Sequence, residues 1–323
     1  MIEENNLDGL ISEAIAQINF PASPAELYEP IRYTLSLGGK RLRPRLLLMA
    51  AQMFGEKPET ALMPSLGLEV FHNFTLLHDD IMDEAPLRRG KPTVHTKWNS
   101  NIAILSGDVM FAEACRLMSK APAPALNQVM EVFFKAAVEV CEGQQYDMNF
   151  EKREDVTIPE YLEMIRLKTA VLLGAGLQIG ALCGNATSEN ASLLYHFGCD
   201  LGIAFQLMDD VLDVYGDPEK FGKQVGGDIL ANKKTYLSLK AFEKADSAVN
   251  TELKHWYTSR EMTDEKVNRV TAIFDKLGIR REAEQITESY YFKALDHLSK
   301  LKEKGFDTSA FEIFAAKLMQ REH

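Results

Sequence analysis

Apolar positions in this chain recur at helical spacing. Ala, Leu, Met, Glu and Lys are abundant, and β-branched runs of period two are rare, a balance that favours helices over strands. The pattern predicts helices near 7–18, 25–36, 42–54, 60–83, 101–119, 125–143, 159–183, 189–215, 232–245, 262–275, 280–302 and 308–320. Prolines punctuate the first half as joints, for example at Pro44, Pro58 and Pro86. None lies between Pro159 and Pro218 and none follows Pro218, so long unbroken helices are expected there. Two pieces stand outside the helices, 84–100 and 216–231. Both are polar and carry Gly and basic residues.

Composition narrows the picture. A length of 323 residues suggests about two domains as a prior. No Gly/Ser/Pro-rich linker divides the chain, however, and residues 1–323 read as one large all-α domain. Apolar residues make up 46%, enough for a sizeable core, and the net charge of −11 argues against a nucleic-acid partner. Cys115, Cys141, Cys183 and Cys199 follow no metal-binding spacing and sit in apolar, helix-like surroundings, as expected of reduced thiols in a cytoplasmic protein. The acidic, polar start Met1–Asn6 is no signal peptide. No uninterrupted apolar run of about 18 residues is present, so no membrane span is expected.

The chemistry is concentrated in two acidic clusters of the same form, 130 positions apart: Asp79-Asp80-Ile81-Met82-Asp83 and Asp209-Asp210-Val211-Leu212-Asp213. On a helix, residues i and i+4 share a face with Cβ atoms roughly 5–6 Å apart. Asp79/Asp83 and Asp209/Asp213 are therefore two carboxylate faces, and carboxylates so close repel unless a cation sits between them. They read as two halves of one magnesium cage. Basic residues are interleaved with them: Gly38-Gly39-Lys40-Arg41-Leu42-Arg43-Pro44, Arg88-Arg89-Gly90-Lys91, Lys168-Thr169, Lys223 and Lys233-Lys234-Thr235. Glycines let backbone amides approach a phosphate, and Lys and Arg supply charge and donors. Magnesium between carboxylate and phosphate oxygens, with Lys and Arg outside, balances the charge. Apolar walls then suggest a diphosphate head on a hydrocarbon tail.

From about Gly38 to Thr235 this series resembles the trans-isoprenyl diphosphate synthases, or polyprenyl synthetases. The motifs stand in that family's order: Gly-Gly-Lys-Arg-x-Arg-Pro, Leu76-Leu77-His78-Asp79-Asp80-x-x-Asp83, Arg88-Arg89-Gly-Lys-Pro, Gly107-Asp108, Gly143-Gln144, Lys168-Thr169, Phe205-Gln206-Leu-x-Asp209-Asp210-x-x-Asp213, Gly216-Asp217, Gly222-Lys223 and Gly227-Asp228. The resemblance implies the isoprenoid synthase fold, about ten to thirteen helices around a central hydrophobic substrate pocket, with both Asp clusters at its mouth. It implies an enzyme, a prenyl transferase that condenses isopentenyl diphosphate head-to-tail with dimethylallyl, geranyl or farnesyl diphosphate. Three magnesium ions are implied, with Asp79 and Asp83 as primary ligands of two and Asp209 of the third. Asp80, Asp210 and Asp213 are implied as further ligands or as acceptors behind the ligands. Lys40, Arg43, His72 and Arg89 resemble the isopentenyl diphosphate site. Arg88, Lys168, Thr169, Gln206, Lys223 and Lys233 resemble the allylic site, with Lys168 and Lys233 neutralising the leaving group. A homodimer is also implied, and the apolar helix near 101–119 is a candidate contact.

Plainer readings stand beside these. His72 shares the helical stripe of Asp79 and Asp83, which suits a pocket position, yet a hydrogen-bonded core histidine fits the same pattern. Product length rests on Phe71, Phe74 and Thr75, which precede the first cluster. In the family, bulky side chains there stop elongation, and Phe74 with the short D-D-x-x-D spacer resembles the geranylgeranyl, C20 type. C15 farnesyl diphosphate is the alternative, and a longer-chain product or a class I terpene cyclase stands further off. On a helical wheel Phe74 points away from the Asp79/Asp83 stripe, while Thr75 lies near it. A cyclase would leave Lys40, Arg43 and Arg89 unexplained, since it takes no second substrate.

Overall fold

The structure is a computed structural model that describes residues 4–217, 225–259 and 261–320. Its elements follow in order as α1 (Glu4–Ala16), α2 (Ala25–Ser36), α3 (Leu42–Met53), α4 (Leu62–Met82), β1 (Leu87–Arg88), β2 (Lys91–Pro92), α5 (Val94–Lys97), α6 (Ser100–Met118), α7 (Leu126–Lys152), α8 (Ile158–Cys183), α9 (Ser188–Tyr215), α10 (Gly227–Leu230), α11 (Tyr236–Lys244), α12 (Ser247–Thr258), α13 (Asp264–Leu277), α14 (Ile279–Glu303) and α15 (Ser309–Met319). The expected all-α fold is thus present, with one two-stranded hairpin among the described residues.

Twelve of these fifteen helices among the described residues match expected ones. The others are α5, α10 and α12. Helix α12 was hidden because it buries only Val249 and Leu253. It starts where the Asp246 carboxylate accepts the amides of Ala248 (3.0 Å) and Val249 (2.9 Å), an N-cap. Helix α7 runs on to Lys152 rather than ending near 143. Helix α11 begins at Tyr236 instead of 232, because Asn232 takes a left-handed backbone (φ 56°) and a Thr235–Ser238 capping box sets the start.

The backbone divides into two compact units, Met1–Lys135 with Ala175–Tyr195, and Ala136–Gly174 with His196–His323. In the first, small residues let helices close on one another. A Cβ on Gly67 of α4 would lie 2.9 Å from the Ala114 carbonyl of α6, and one on Gly107 would run into the His78 ring. Gly176, Gly180 and Gly184, four apart near the end of α8, form a bare stripe. A Cβ on Gly180 would sit 2.0 Å from the Leu47 carbonyl of α3, and one on Gly184 would sit 2.8 Å from that of Ala51. Phe71 packs at the centre of this unit against Phe74, Phe111 and Phe133.

The second unit has its own core of Tyr161, Leu207, Val211, Leu237, Leu253 and Phe274 with their neighbours. Helix α8 is long and apolar enough by composition to cross a membrane, but 72% of its most apolar stretch is buried inside the protein, the mark of a core helix. Its turn Arg166–Ala170 is a π turn. Such one-residue widenings gather at functional sites.

Candidate active site

The first acidic cluster occupies the last turn of α4. Asp79 is part-buried, Asp80 buried and Asp83 exposed. Asp80 is already engaged: Arg88 Nε reaches its two oxygens at 2.9 and 2.8 Å, and Arg88 Nη2 lies 2.8 Å from Oδ1. Arg88 stands in the β1–β2 hairpin. The two turn residues, Arg89 (φ 53°) and Gly90 (φ 73°), both take left-handed backbone, as a two-residue type I′ turn requires. The Arg89 side chain folds back over Gly39. A Cβ on Gly39 would lie 2.9 Å from Arg89 Nη2, and Gly39 itself has φ 148°. Here glycine is needed both for the backbone and for the space.

Beside this lies a basic nook. Arg43 Nη1 donates to His72 Nε2 at 3.1 Å, so that ring nitrogen is an acceptor and the imidazole is neutral. Burial, then the charges of Arg43, Arg89 and Arg88, hold His72 well below the usual histidine range. Glu69, buried one turn earlier on α4, faces Arg43 and accepts from Asn73 Nδ2 at 3.1 Å. Burial raises its carboxyl despite the nearby guanidiniums. The expected Arg43, His72 and Arg89 are therefore brought together, and Lys40 follows Gly39 in the same exposed loop.

The second cluster lies on α9 in the other unit, and again its middle member is the buried one. Asp210 accepts from Tyr161 Oη and, at 3.2 Å, from Gln206 Nε2. Thr169 Oγ1 lies 3.4 Å from Gln206 Oε1, extending the chain of contacts. Burial and then the charge of Asp228 push the Asp210 carboxyl up to about 8. Asp213 accepts the Asp228 amide at 2.9 Å. Lys168 lies in the π turn and donates to Asp147 at 2.5 Å. A Cβ on Gly143 would fall 2.3 Å from the Lys168 amide nitrogen, so Gly143 gives the widened turn its room. Lys168, Thr169, Gln206, Asp210, Asp228 and Lys233 share the walls of a cavity of ≈ 240 Å³, and Lys233 Nζ is 3.7 Å from Asp228. Lys223 lies outside the described residues.

The sequence pattern of the Polyprenyl synthetase family matches residues 24–274. The chain belongs to the polyprenyl synthetase family. It is 43% identical over 244 residues to a geranylgeranyl diphosphate synthase of Methanosarcina mazei, covering 75% of each chain. Against a geranylgeranyl pyrophosphate synthase of Geoglobus acetivorans it is 38% identical over 316 residues, 97% of each. The crystal structure of a geranylgeranyl pyrophosphate synthase superposes with a TM-score of 0.93 at 45% identity, covering 100% of both chains. As a polyprenyl synthetase the protein is a prenyl transferase with the isoprenoid synthase fold.

The donor chemistry of this polyprenyl synthetase suits magnesium. Among the described residues no three acidic, His or Cys side chains already converge on one point. Magnesium, however, takes one or two carboxylates and completes its shell with water and phosphate oxygens, and each cluster offers an i, i+4 carboxylate pair. Several site residues had escaped sequence reasoning: Glu69, Asp147, Tyr161 and Asn73. Glu69 was signalled by a lone charge inside the apolar run Leu66–Phe71, and Asp147 by its place one helical turn after Gly143. Tyr161 carried no signal, since an aromatic at helical spacing reads as core. Phe74 is placed against Phe111 of α6 (5.5 Å between centroids) and His78 (4.7 Å), and Thr75 Oγ1 donates to the His72 carbonyl at 2.8 Å.

Proposed function

We propose that this prenyl transferase adds isopentenyl diphosphate to dimethylallyl, geranyl and farnesyl diphosphates and stops at C20 geranylgeranyl diphosphate. The observation that carries the reading is the guanidinium nook of Arg43 and Arg89 around neutral His72, since a cyclase has no second diphosphate to place there. Lys40, Arg43, His72 and Arg89 bind isopentenyl diphosphate. Lys168, Thr169, Gln206, Lys223 and Lys233 bind the allylic diphosphate, and Arg88, paired with Asp80, faces the same substrate. Asp79, Asp83 and Asp209 hold three magnesium ions, with Asp80, Asp210 and Asp213 behind or beside them. Bound there, magnesium supplies positive charge for the departing diphosphate.

The chain's own residues do the rest. Lys168 and Lys233 donate hydrogen bonds to the leaving diphosphate as the allylic C–O bond breaks heterolytically. The isopentenyl double bond attacks the allylic cation, forming a C–C bond, and the proton lost from the adduct goes to the released diphosphate. Phe74, backed by Phe71 and flanked by Thr75, ends elongation. Residues 1–323 act as one isoprenoid synthase domain, a homodimer is the working form, and four cysteines that form no disulfide suit the cytoplasm.

The test is a product assay with magnesium, isopentenyl diphosphate and, separately, C5, C10 and C15 primers, resolving the dephosphorylated alcohols. A dominant C20 alcohol is expected, and Phe74→Ala should lengthen it. A C15 product would move the stop closer to the metals. Diphosphate release with no elongation would overturn the reading in favour of a cyclase.

A further inference from the structure

The Lys233 loop is gripped by a side chain that the chemistry above does not use. Lys266, in the first turn of α13, has no exposed surface. A buried ammonium must find acceptors for its three hydrogens, and Lys266 Nζ finds them: Asn232 Oδ1 at 2.7 Å, the Ser259 carbonyl at 3.0 Å and the Leu230 carbonyl at 3.4 Å. Two of the three lie in the turn that leads into Lys233. Asn232 also donates to the Ser259 carbonyl at 3.1 Å and holds a left-handed backbone at φ 56°. The next residue of α13 grips the start of the same turn: a Cβ on Gly226 would lie 2.5 Å from Val267 Cγ1. The Lys233 backbone is pinned as well, its amide to the Asp228 carbonyl at 2.9 Å and its carbonyl by Ser238 Oγ at 3.3 Å.

We propose that Lys266 is a positioning residue for Lys233: acting through Asn232, it fixes the 226–233 turn so that the Lys233 ammonium meets the leaving diphosphate. The assignment rests on the function proposed above. An ammonium shared among three neutral acceptors is a costly way to fill a core position, and a methionine of similar length would fill it without that cost. What the ammonium adds is direction: with the Asn232–Ser259 bond it aims the Asn232 side chain.

Lys266→Met and Asn232→Gly are each measured in the full-length enzyme, alone and in a Lys233→Ala background, with active-site titration and thermal melts. Glycine suits the Asn232 backbone and leaves the Lys266 ammonium its two carbonyl acceptors, so the second variant removes the link and carries the test if Lys266→Met does not fold. Each single variant should lose about ten- to a hundred-fold in kcat, with KM for isopentenyl diphosphate within about twofold. In the Lys233→Ala background the further loss should be under about twofold, because the group being aimed is gone. Equal fractional losses in both backgrounds, or wild-type kcat in Asn232→Gly, would overturn the proposal. A wild-type enzyme that elongates no primer would overturn the functional reading instead, before any variant is compared.

Discussion

Within each D-D-x-x-D cluster the aspartates divide their work by burial. Asp80 is buried and forked by Arg88, whereas Asp83, one residue past the end of α4, is exposed. Asp80→Asn leaves Arg88 without its counter-charge, and since Arg88 is itself 29% exposed, the expected cost is ~1–3 kcal/mol of stability. Asp83→Asn should change stability by under about 0.5 kcal/mol while lowering turnover by orders of magnitude. Urea unfolding of both variants beside their kcat values checks the split, and equal destabilisation would refute it. His72 makes a prediction of the same sign as that of a paired carboxylate, because its pKa too is lowered on folding, but in a higher pH window. Its folded-state pKa lies well below the ordinary 6.5, so below that pH the unfolded chain binds a proton that the folded one refuses. Stability from this group is whole above pH 6.5 and declines as pH falls beneath it. His72→Gln should flatten the loss of melting temperature between about pH 7.5 and 5.5 relative to wild type. An unchanged slope would mean that His72 is not the group responsible.

At the scale of elements, the junction of α7 with the π turn of α8 is the most exacting contact at the site. A methyl at residue 143 meets backbone, not a side chain that could swing aside. Gly143→Ala should therefore cost about 2–3 kcal/mol and displace Lys168, so that the unfolding midpoint and kcat fall together. A midpoint like that of wild type would show that the turn can relax. Helical periodicity made α3, α4, α8 and α9 legible in the sequence, together with the i, i+4 carboxylate faces at the ends of two of them. It could not show that Asp80 and Asp210 point inward, because that depends on Arg88 across a hairpin and on Tyr161 from another helix. Nor did it reveal Lys266, whose setting Thr263-Asp264-Glu265-Lys266 has the composition of a solvated first turn. The wheel sets Phe74 off the carboxylate stripe, and its ring packs on Phe111 of α6.

At the scale of the whole molecule, large apolar side chains stand exposed on the described surface. Ile104 and Leu105 on α6 are 43% and 57% exposed, and Phe134, in the same unit, 44%. Ile104 and Leu105 lie on the helix that the sequence offered as the dimer contact, and apolar side chains gathered on one face suit a contact surface. On the proposed homodimer, light scattering should give two chain masses for wild type and one for Leu105→Glu. A variant that stays at two would move the contact elsewhere.

The π turn of α8 also sets a rule for how this chain can change length. A π turn is an α-helix with one residue to spare, so deleting a residue from 166–170 would restore ordinary helical bonding at little local cost. The spare residue takes the widening with it, so the helix beyond keeps its facing. In the regular turns that follow there is nothing to spare, and each residue removed turns everything beyond it by about 100°. A deletion between Gly176 and Gly184 would swing a side chain onto the Leu47 or Ala51 carbonyl, where no methyl fits. Length can therefore be given up at the bulge but not within the glycine stripe.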